Sequence, residues 1–299
     1  MSSFPRRPAR RADLQEVAEL VATLDLELEG RSDYTVADLE DEWRDIDPER
    51  DAWVWEDGAG IAAYGTVELR GDVGRSDGYV HPRAWGRGLG AALVAELEEE
   101  LRRRGAARVH NATLFTDPRA QELLRNAGYG EVRRFWQMRI ELAAPPAPPR
   151  WPEGVTTERL DLADLAEFHE AFEDAFADHW NHERSSLERF RHRHVEAEGF
   201  DPMLWRVVRG EGGEIVAGTV CHPERMGAAW ISGLFTRRAC RGRGLGSALL
   251  ADAFGTFWER GLRTIGLGVD AQSDTGAQRL YERAGMHVHL GAIVFEKTL

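Results

Sequence analysis

Cysteine is nearly absent. Cys221 and Cys240 are the two in 299 residues, and they lack the paired spacing of a metal knuckle or a disulfide framework, which fits a reducing compartment. Lysine is scarcer still: Lys297 is the single one, so almost all positive charge is arginine. No apolar run approaches the roughly 20 residues that span a bilayer, and the opening Met1–Arg7 lacks the apolar core of a secretion signal. Long basic runs are missing as well. The net charge of −13 argues against a nucleic-acid partner and favours cationic or amine partners over phosphorylated polymers. These absences predict a cytoplasmic protein with neither a membrane nor a nucleic acid as partner; a monomer or homodimer is expected.

What is present is globular composition, 42% hydrophobic and 30% charged. Its centre is Arg241-Gly242-Arg243-Gly244-Leu245-Gly246, followed by Ser247 and a helical pattern through Leu249, Leu250, Phe254, Phe257 and Trp258. Three glycines at alternate positions strip side chains from a turn, so backbone N–H groups can converge on one point. A bare turn that opens a helix is an anion site, because the first-turn N–H groups lack intrahelical partners and the dipole favours negative charge. Arg241 and Arg243 add charge beside it, and the stretch reads as a pyrophosphate cradle.

The same device stands at Trp85-Gly86-Arg87-Gly88-Leu89-Gly90, 156 positions earlier (244 less 88). Downstream, Ala120–Tyr129 matches Ala277–Met286 at an offset of 157 (285 less 128). Chance turns in an arginine-rich chain explain one match but not two in order, so the chain is one unit written twice. Ala143–Arg150, Ala-Ala-Pro-Pro-Ala-Pro-Pro-Arg, is a stiff polyproline-type linker. The expected division is therefore 1–142, a linker over 143–152, and 153–299. In each copy the spacing predicts helices, a hairpin, a strand into the glycine turn, a helix, a strand, a helix and a closing strand; the closing strands are Phe135–Leu142 and Ala292–Glu296. The fold class is α/β, a mixed sheet with helices on both faces.

A Rossmann site wants Gly-x-Gly-x-x-Gly, and a P-loop wants Gly-Lys-Ser/Thr; neither is present. The strand, Arg-Gly-Arg-Gly-Leu-Gly, helix, and then Gly276–Met286 together resemble the GCN5-related N-acetyltransferase (GNAT) superfamily. The resemblance covers both halves and is similar in architecture to the mycothiol synthase branch. It implies a tandem enzyme that moves the acetyl group of acetyl-CoA to a small-molecule amine, with no metal. By the same resemblance Arg241 to Ser247 would hold the coenzyme A pyrophosphate. Leu234, Phe235 and Thr236 would pair with the pantetheine arm, with Ser273 nearby, and a strand N–H would polarise the thioester carbonyl. Tyr281 would donate a proton to the leaving thiolate; from periodicity alone it is an amphipathic-helix residue packed on a sheet. Arg238 and Ser273 depart from the common pattern without removing a chemical role.

In the first copy Trp85 replaces the cradle arginine and Leu124 stands where Tyr281 stands in the second, so that copy is expected to be catalytically silent. Val80, Arg87, Gly88, Leu89 and Gly90 remain as a possible second coenzyme A site. An acceptor ammonium near pKa 10 must lose a proton before attack. Glu224 is the first candidate base, followed by His222 and Asp270, each also readable as a loop or cap residue. His179 and Trp180 end the long helix of the second copy and are expected to line the acceptor pocket. The histidines around them carry no carboxylate at metal spacing. Cys240 reads as a structural thiol. The readings to separate are acetyl transfer to a primary amine, mycothiol-synthase-like acetylation of a cysteinyl pseudo-disaccharide, and a coenzyme-binding sensor without turnover.

Overall fold

The computed structural model describes residues 4–32, 34–44, 46–197, 199–273 and 275–299. The first half runs β1 (Arg6–Pro8), α1 (Leu14–Glu29), α2 (Val36–Glu42), α3 (Pro48–Asp51), β2 (Ala52–Asp57), β3 (Gly60–Arg70), β4 (Val73–Val80), α4 (Leu89–Arg103), β5 (Arg108–Leu114), α5 (Pro118–Asn126) and β6 (Gly130–Glu141). The second runs β7 (Thr156–Arg159), α6 (Leu165–Phe176), α7 (Leu187–His194), β8 (Arg206–Arg209), β9 (Ile215–Arg225), β10 (Ala228–Thr236), α8 (Leu245–Glu259), β11 (Thr264–Asp270), α9 (Ala277–Arg283) and β12 (His287–Thr298).

Local chemistry accounts for the element ends. Helix α1 buries Val17, Ala18, Leu20, Val21 and Leu24 on one stripe and stops at Gly30, where φ is 71°. Helix α2 starts on a capping box in which the Thr35 hydroxyl accepts from the Asp38 N–H and the Asp38 carboxylate accepts from the Thr35 N–H.

The chain forms two compact units, and their limits differ from the expected break at the proline-rich segment. The N-terminal unit is 1–135 plus 291–299, and the C-terminal unit is 136–290. Strands β6 and β12 each cross from one unit to the other. In the N-terminal unit the sheet runs β1-β2-β3-β4-β5, and its last strand is the end of β12, antiparallel to β5 from Arg108 opposite Thr298 to Leu114 opposite Ala292. In the C-terminal unit β6 stands beside β11, and the order continues β10-β9-β8-β7. The closing strands are thus present near their expected places but exchanged between copies. A strand pattern fixes which side chains face the core, while the choice of neighbour is made by tertiary packing.

Polar contacts tie the exchanged segment down. Lys297 Nζ reaches both oxygens of the buried Glu98 carboxylate at 2.7 and 2.9 Å, and His110 Nε2 meets Glu296 at 2.8 Å. Each unit has helices on both sheet faces. In the N-terminal unit one core holds Trp55, Leu93, Leu97 and Phe295, and another holds Val17, Leu39, Trp43 and Tyr64. Among the described residues no helix is long and apolar enough to cross a membrane.

Candidate functional site

The cradle of the C-terminal unit begins where β10 and β11 part. The two strands pair in parallel from Ala229 with Ile265 to Ile231 with Leu267, and β10 then runs on to Thr236. Against β9, β10 has a bulge: Ile231 faces Cys221 and Gly233 faces Val220, so Ser232 is an extra residue. A bulge takes one residue out of the ladder and re-aims its backbone groups. The Ser232 hydroxyl is buried without a hydrogen-bond partner among the described residues.

The N-terminal unit lacks this device. Strand β4 pairs with β3 in unbroken register, and the last β4–β5 pair, Ser76 with Asn111, is closed by an Asn111 Nδ2 to Ser76 Oγ bond of 3.0 Å. The offset between copies is 155 at that point (231 less 76) and 156 just beyond it (233 less 77), which marks Ser232 as an insertion.

The glycine turn follows the expectation from its composition. Gly242 and Gly244 have φ of 76° and 88°, a left-handed region that disfavours any side chain. A methyl group built on either meets nothing within 4 Å, so backbone conformation rather than crowding requires glycine. Gly246 is different: a methyl group there would approach Leu280 Cδ2 of α9 at 3.1 Å. No side chain caps α8, whose first-turn N–H groups face the turn. Gly86, Gly88 and Gly90 repeat this geometry in the N-terminal unit, with Gly90 approaching Leu123 at 3.2 Å.

The arginines depart from the expectation. Arg241 is committed to the fold: its guanidinium donates to the Ala175 carbonyl at 2.8 Å and the Thr236 carbonyl at 3.3 Å, beside Asp178. Arg238 is also paired with Asp178, and Arg237 with Asp174. Arg243 stays exposed at the turn. Its counterpart Arg87 lies over the Phe4 ring at 4.5 Å and 3.4 Å from Asp57. Leu245 is buried at the helix start, Ser247 is exposed one residue past Gly246, and Leu234, Phe235 and Thr236 line β10 beyond the bulge. Ser273 sits in the turn before α9, its hydroxyl 2.9 Å from that of Thr275.

Tyr281 is 7% exposed and belongs to the core cluster that includes Leu267, Val269 and Met286. Burial pushes its phenol up to about 12, so it stays protonated through the neutral range, and its hydroxyl has no hydrogen-bond partner among the described residues. Its counterpart Leu124 is buried in the other unit's core.

The base candidates spread out. Glu224 is exposed near the β9–β10 hairpin end. It stands five residues along β9 from Thr219, the partner of Leu234, or roughly 16 Å at strand rise. Asp270 holds a turn by accepting from the Gln272 N–H at 2.9 Å. His222 is nearer the bulge, opposite Trp230, with its Nε2 3.5 Å from His194 Nδ1. Burial lowers His222 to about 4 and His194 to about 3, so both are neutral at pH 7.

His179 packs edge-on against Phe176 at 4.5 Å and is also held below its ordinary pKa, burial first. Trp180 follows, half-buried, before Asn181 at a left-handed φ of 52°. Sequence reasoning missed what anchors this segment. Glu173, 2% exposed, accepts from Ser185 Oγ at 2.6 Å, meets His182 Nε2 at 2.9 Å and lies 3.4 Å from His169 Nε2. The i,i+4 spacing of His169 and Glu173 was the one signal available. Among the described residues no group of three or more His, Cys, Asp or Glu is placed to hold a metal.

Comparison with known proteins gives one picture. The pattern of the family described as "Acetyltransferase (GNAT) family" matches residues 14–129 and again 165–286. The chain is 32% identical over 212 residues to a mycothiol acetyltransferase of a Nocardioides species, covering 65% of this chain and 70% of that protein. A mycothiol acetyltransferase of Acidothermus cellulolyticus is 29% identical over 265 residues, covering 82% and 78%. Among solved structures, a GCN5-related N-acetyltransferase from Sphaerobacter thermophilus superposes with a TM-score of 0.87 at 34% identity, covering 99% of this chain and 95% of that one. A tandem GNAT protein from the clavulanic acid biosynthesis pathway shares the fold, with a TM-score of 0.78 at 16% identity over 99% and 98%.

Proposed function

The chain belongs to the acetyltransferase (GNAT) family in tandem form, and from that premise we propose that its C-terminal unit moves the acetyl group of acetyl-CoA directly to the primary amine of a small molecule. The observation that carries this reading is an asymmetry. The bulge at Ser232 and the buried phenol of Tyr281 occur together in one copy, while the other has unbroken strand register and Leu124.

Each feature has a task. The diphosphate of the cofactor settles on the first-turn N–H groups of α8, reached over Gly242, Gly244 and Gly246. Its pantetheine arm lies along Leu234–Thr236, where β10 has left β11. A backbone N–H freed at the bulge is placed to hydrogen-bond the thioester oxygen as charge builds on it. The amine attacks the carbonyl carbon, the C–S bond breaks, and Tyr281 hydrogen-bonds the departing sulfur and supplies its proton.

The amine's own proton is not assigned to Glu224, which stands too far along β9. His222, at about 4, is too weak a base to take a proton from an ammonium near 10 without a large uphill step. The amine therefore arrives neutral from its solution equilibrium. His179 and Trp180 border the acceptor, on a segment positioned by Glu173. The N-terminal unit is assigned no turnover. Whether the acceptor is a cysteinyl sugar is a second reading, favoured by the names of the mycothiol acetyltransferase relatives.

The test is calorimetric. Titration with acetyl-CoA should find a site that Gly244→Glu abolishes and Gly88→Glu leaves intact, and an amine panel should release thiol. Loss of the site in Gly88→Glu alone would overturn the division of labour.

A further inference from the structure

Strand β10 divides its side chains between two faces just beyond the bulge. Leu234 packs on the α8 side with Leu245 and Leu249, while Gly233 and Phe235 face α6 through Phe172 and Phe168. Helix α9 stands beside α8, since a methyl group on Gly246 would meet Leu280 at 3.1 Å. A sulfur that takes its proton from Tyr281 therefore lies on the α8–α9 side. The acyl group bonded to it then points towards α6.

What stands there is Phe172. A methyl group built on Gly233 would come within 2.6 Å of Phe172 Cε2 and 3.4 Å of its Cζ. Gly233 is not left-handed, so crowding by this ring, rather than backbone conformation, requires glycine. The ring is held in place by three others: centroids of Phe176, Phe190 and Phe235 lie 4.5, 5.3 and 5.7 Å away. Phe172 is only half-buried, so it is not sealed into the core. From it the aromatic wall continues through Phe176 to His179, which borders the acceptor in the proposed reading. The N-terminal unit differs. There Asp77 stands where Gly233 does (233 less 77 is 156), and it pairs with Arg75 at 3.1 Å.

We propose that Phe172 sets the length of the acyl group, admitting acetyl and stopping longer chains at the bulge. The inference rests on the acetyl-transfer reading of this site and adds to it the residue that selects the acyl donor. A thioester oxygen held by a backbone N–H of the bulge fixes the carbonyl in place. That leaves room for a methyl group before the ring. Each further methylene must displace a side chain already packed among three rings.

The probes are coenzyme A and its acetyl, propionyl and butyryl thioesters, titrated calorimetrically into the full chain without acceptor. The unaltered protein should bind propionyl-CoA about tenfold more weakly than acetyl-CoA, and butyryl-CoA more weakly still. Phe172→Ala should bring the three thioesters within about threefold of one another, because the truncated side chain leaves a cavity for the tail. Phe172→Leu should shift the ratio the same way by less, which covers an alanine variant that fails to fold. Each ratio is taken within one variant, so a smaller folded fraction cancels. Affinity for free coenzyme A, which has no acyl group, should stay unchanged in both variants. Equal weakening of free coenzyme A would make the ring a mere support for β10 and overturn the proposal. Unaltered protein that binds butyryl-CoA as well as acetyl-CoA, or variants that keep the original preference, would overturn it too and leave acetyl transfer standing. Failure to bind acetyl-CoA at all would remove the transfer reading and this one together.

Discussion

The indole N–H of Trp85 donates to the carbonyl of Val80 at 2.9 Å. In the other copy Arg241 donates to Thr236 at 3.3 Å, and both pairs lie 156 positions apart (241 less 85, and 236 less 80). The tryptophan thus does the same task as the arginine, pinning the strand end to the turn that follows. The substitution says nothing about phosphate affinity, because the arginine's charge is held by the Ala175 carbonyl and Asp178.

Arg241→Ala should therefore act mainly on stability. Loss of two charge-assisted bonds to carbonyls predicts a drop of about 2 kcal/mol, read by urea unfolding. Acetyl-CoA affinity should change little, while Arg243→Ala, which removes an exposed side chain at the turn, should weaken it measurably. The opposite ranking would return Arg241 to the cradle.

Tyr281→Phe keeps the ring in its core position and removes the proton. Turnover should fall about 100-fold with cofactor affinity nearly unchanged. Because the phenol titrates at about 12, it imposes no falling limb on the pH profile below about pH 10. The rising limb belongs to the acceptor, so kcat/KM should climb about tenfold per pH unit until the amine's own pKa. A plateau near pH 5 would instead reveal a carboxylate base.

His194 and His222 make the fold acid-sensitive. Both are lowered in the folded state, so the unfolded chain binds more protons between their folded values, about 3 and about 4, and the ordinary 6.5. Their contribution is complete above pH 6.5 and is lost as pH falls through that window. The slope is at most about 1.4 kcal/mol per pH unit for each imidazole. Denaturation curves at pH 7 and pH 5 should separate, and His222→Gln should narrow the gap.

Glu173→Gln leaves the segment after α6 with a weaker anchor. Hydrogen exchange should quicken across 177–186 while the strands of the C-terminal unit keep their protection. Uniform quickening would mean that Glu173 supports the whole core.

Much of this molecule was legible because its signals are local. Alternate glycines before an apolar helical run dictate a bare turn, and Gly242 and Gly244 are left-handed as that reading requires. The repetition of the unit was equally plain. The bulge was not, since Ser232 is a single extra residue whose only trace is an offset that moves from 155 to 156 (231 less 76, then 233 less 77). The roles of Arg241 and Glu173 depend on partners tens of positions away or on a loop that folds back. Spacing carries no record of either. Glu224 is the converse case: its residue type suits a base, but it stands exposed two residues beyond His222 on β9, and the proposed reading gives it no proton to take.

The end of β12 gives synthesis a direction. Strand β5 has its outer partner only once residues 292–298 exist, so the half of the protein made first waits on the half made last. During translation the row of amides and carbonyls on β5 stands open, a template for any passing strand. Cutting the chain at its proline-rich segment would leave the first unit in that unfinished state, which makes the whole polypeptide, and not either repeat, the piece that folds.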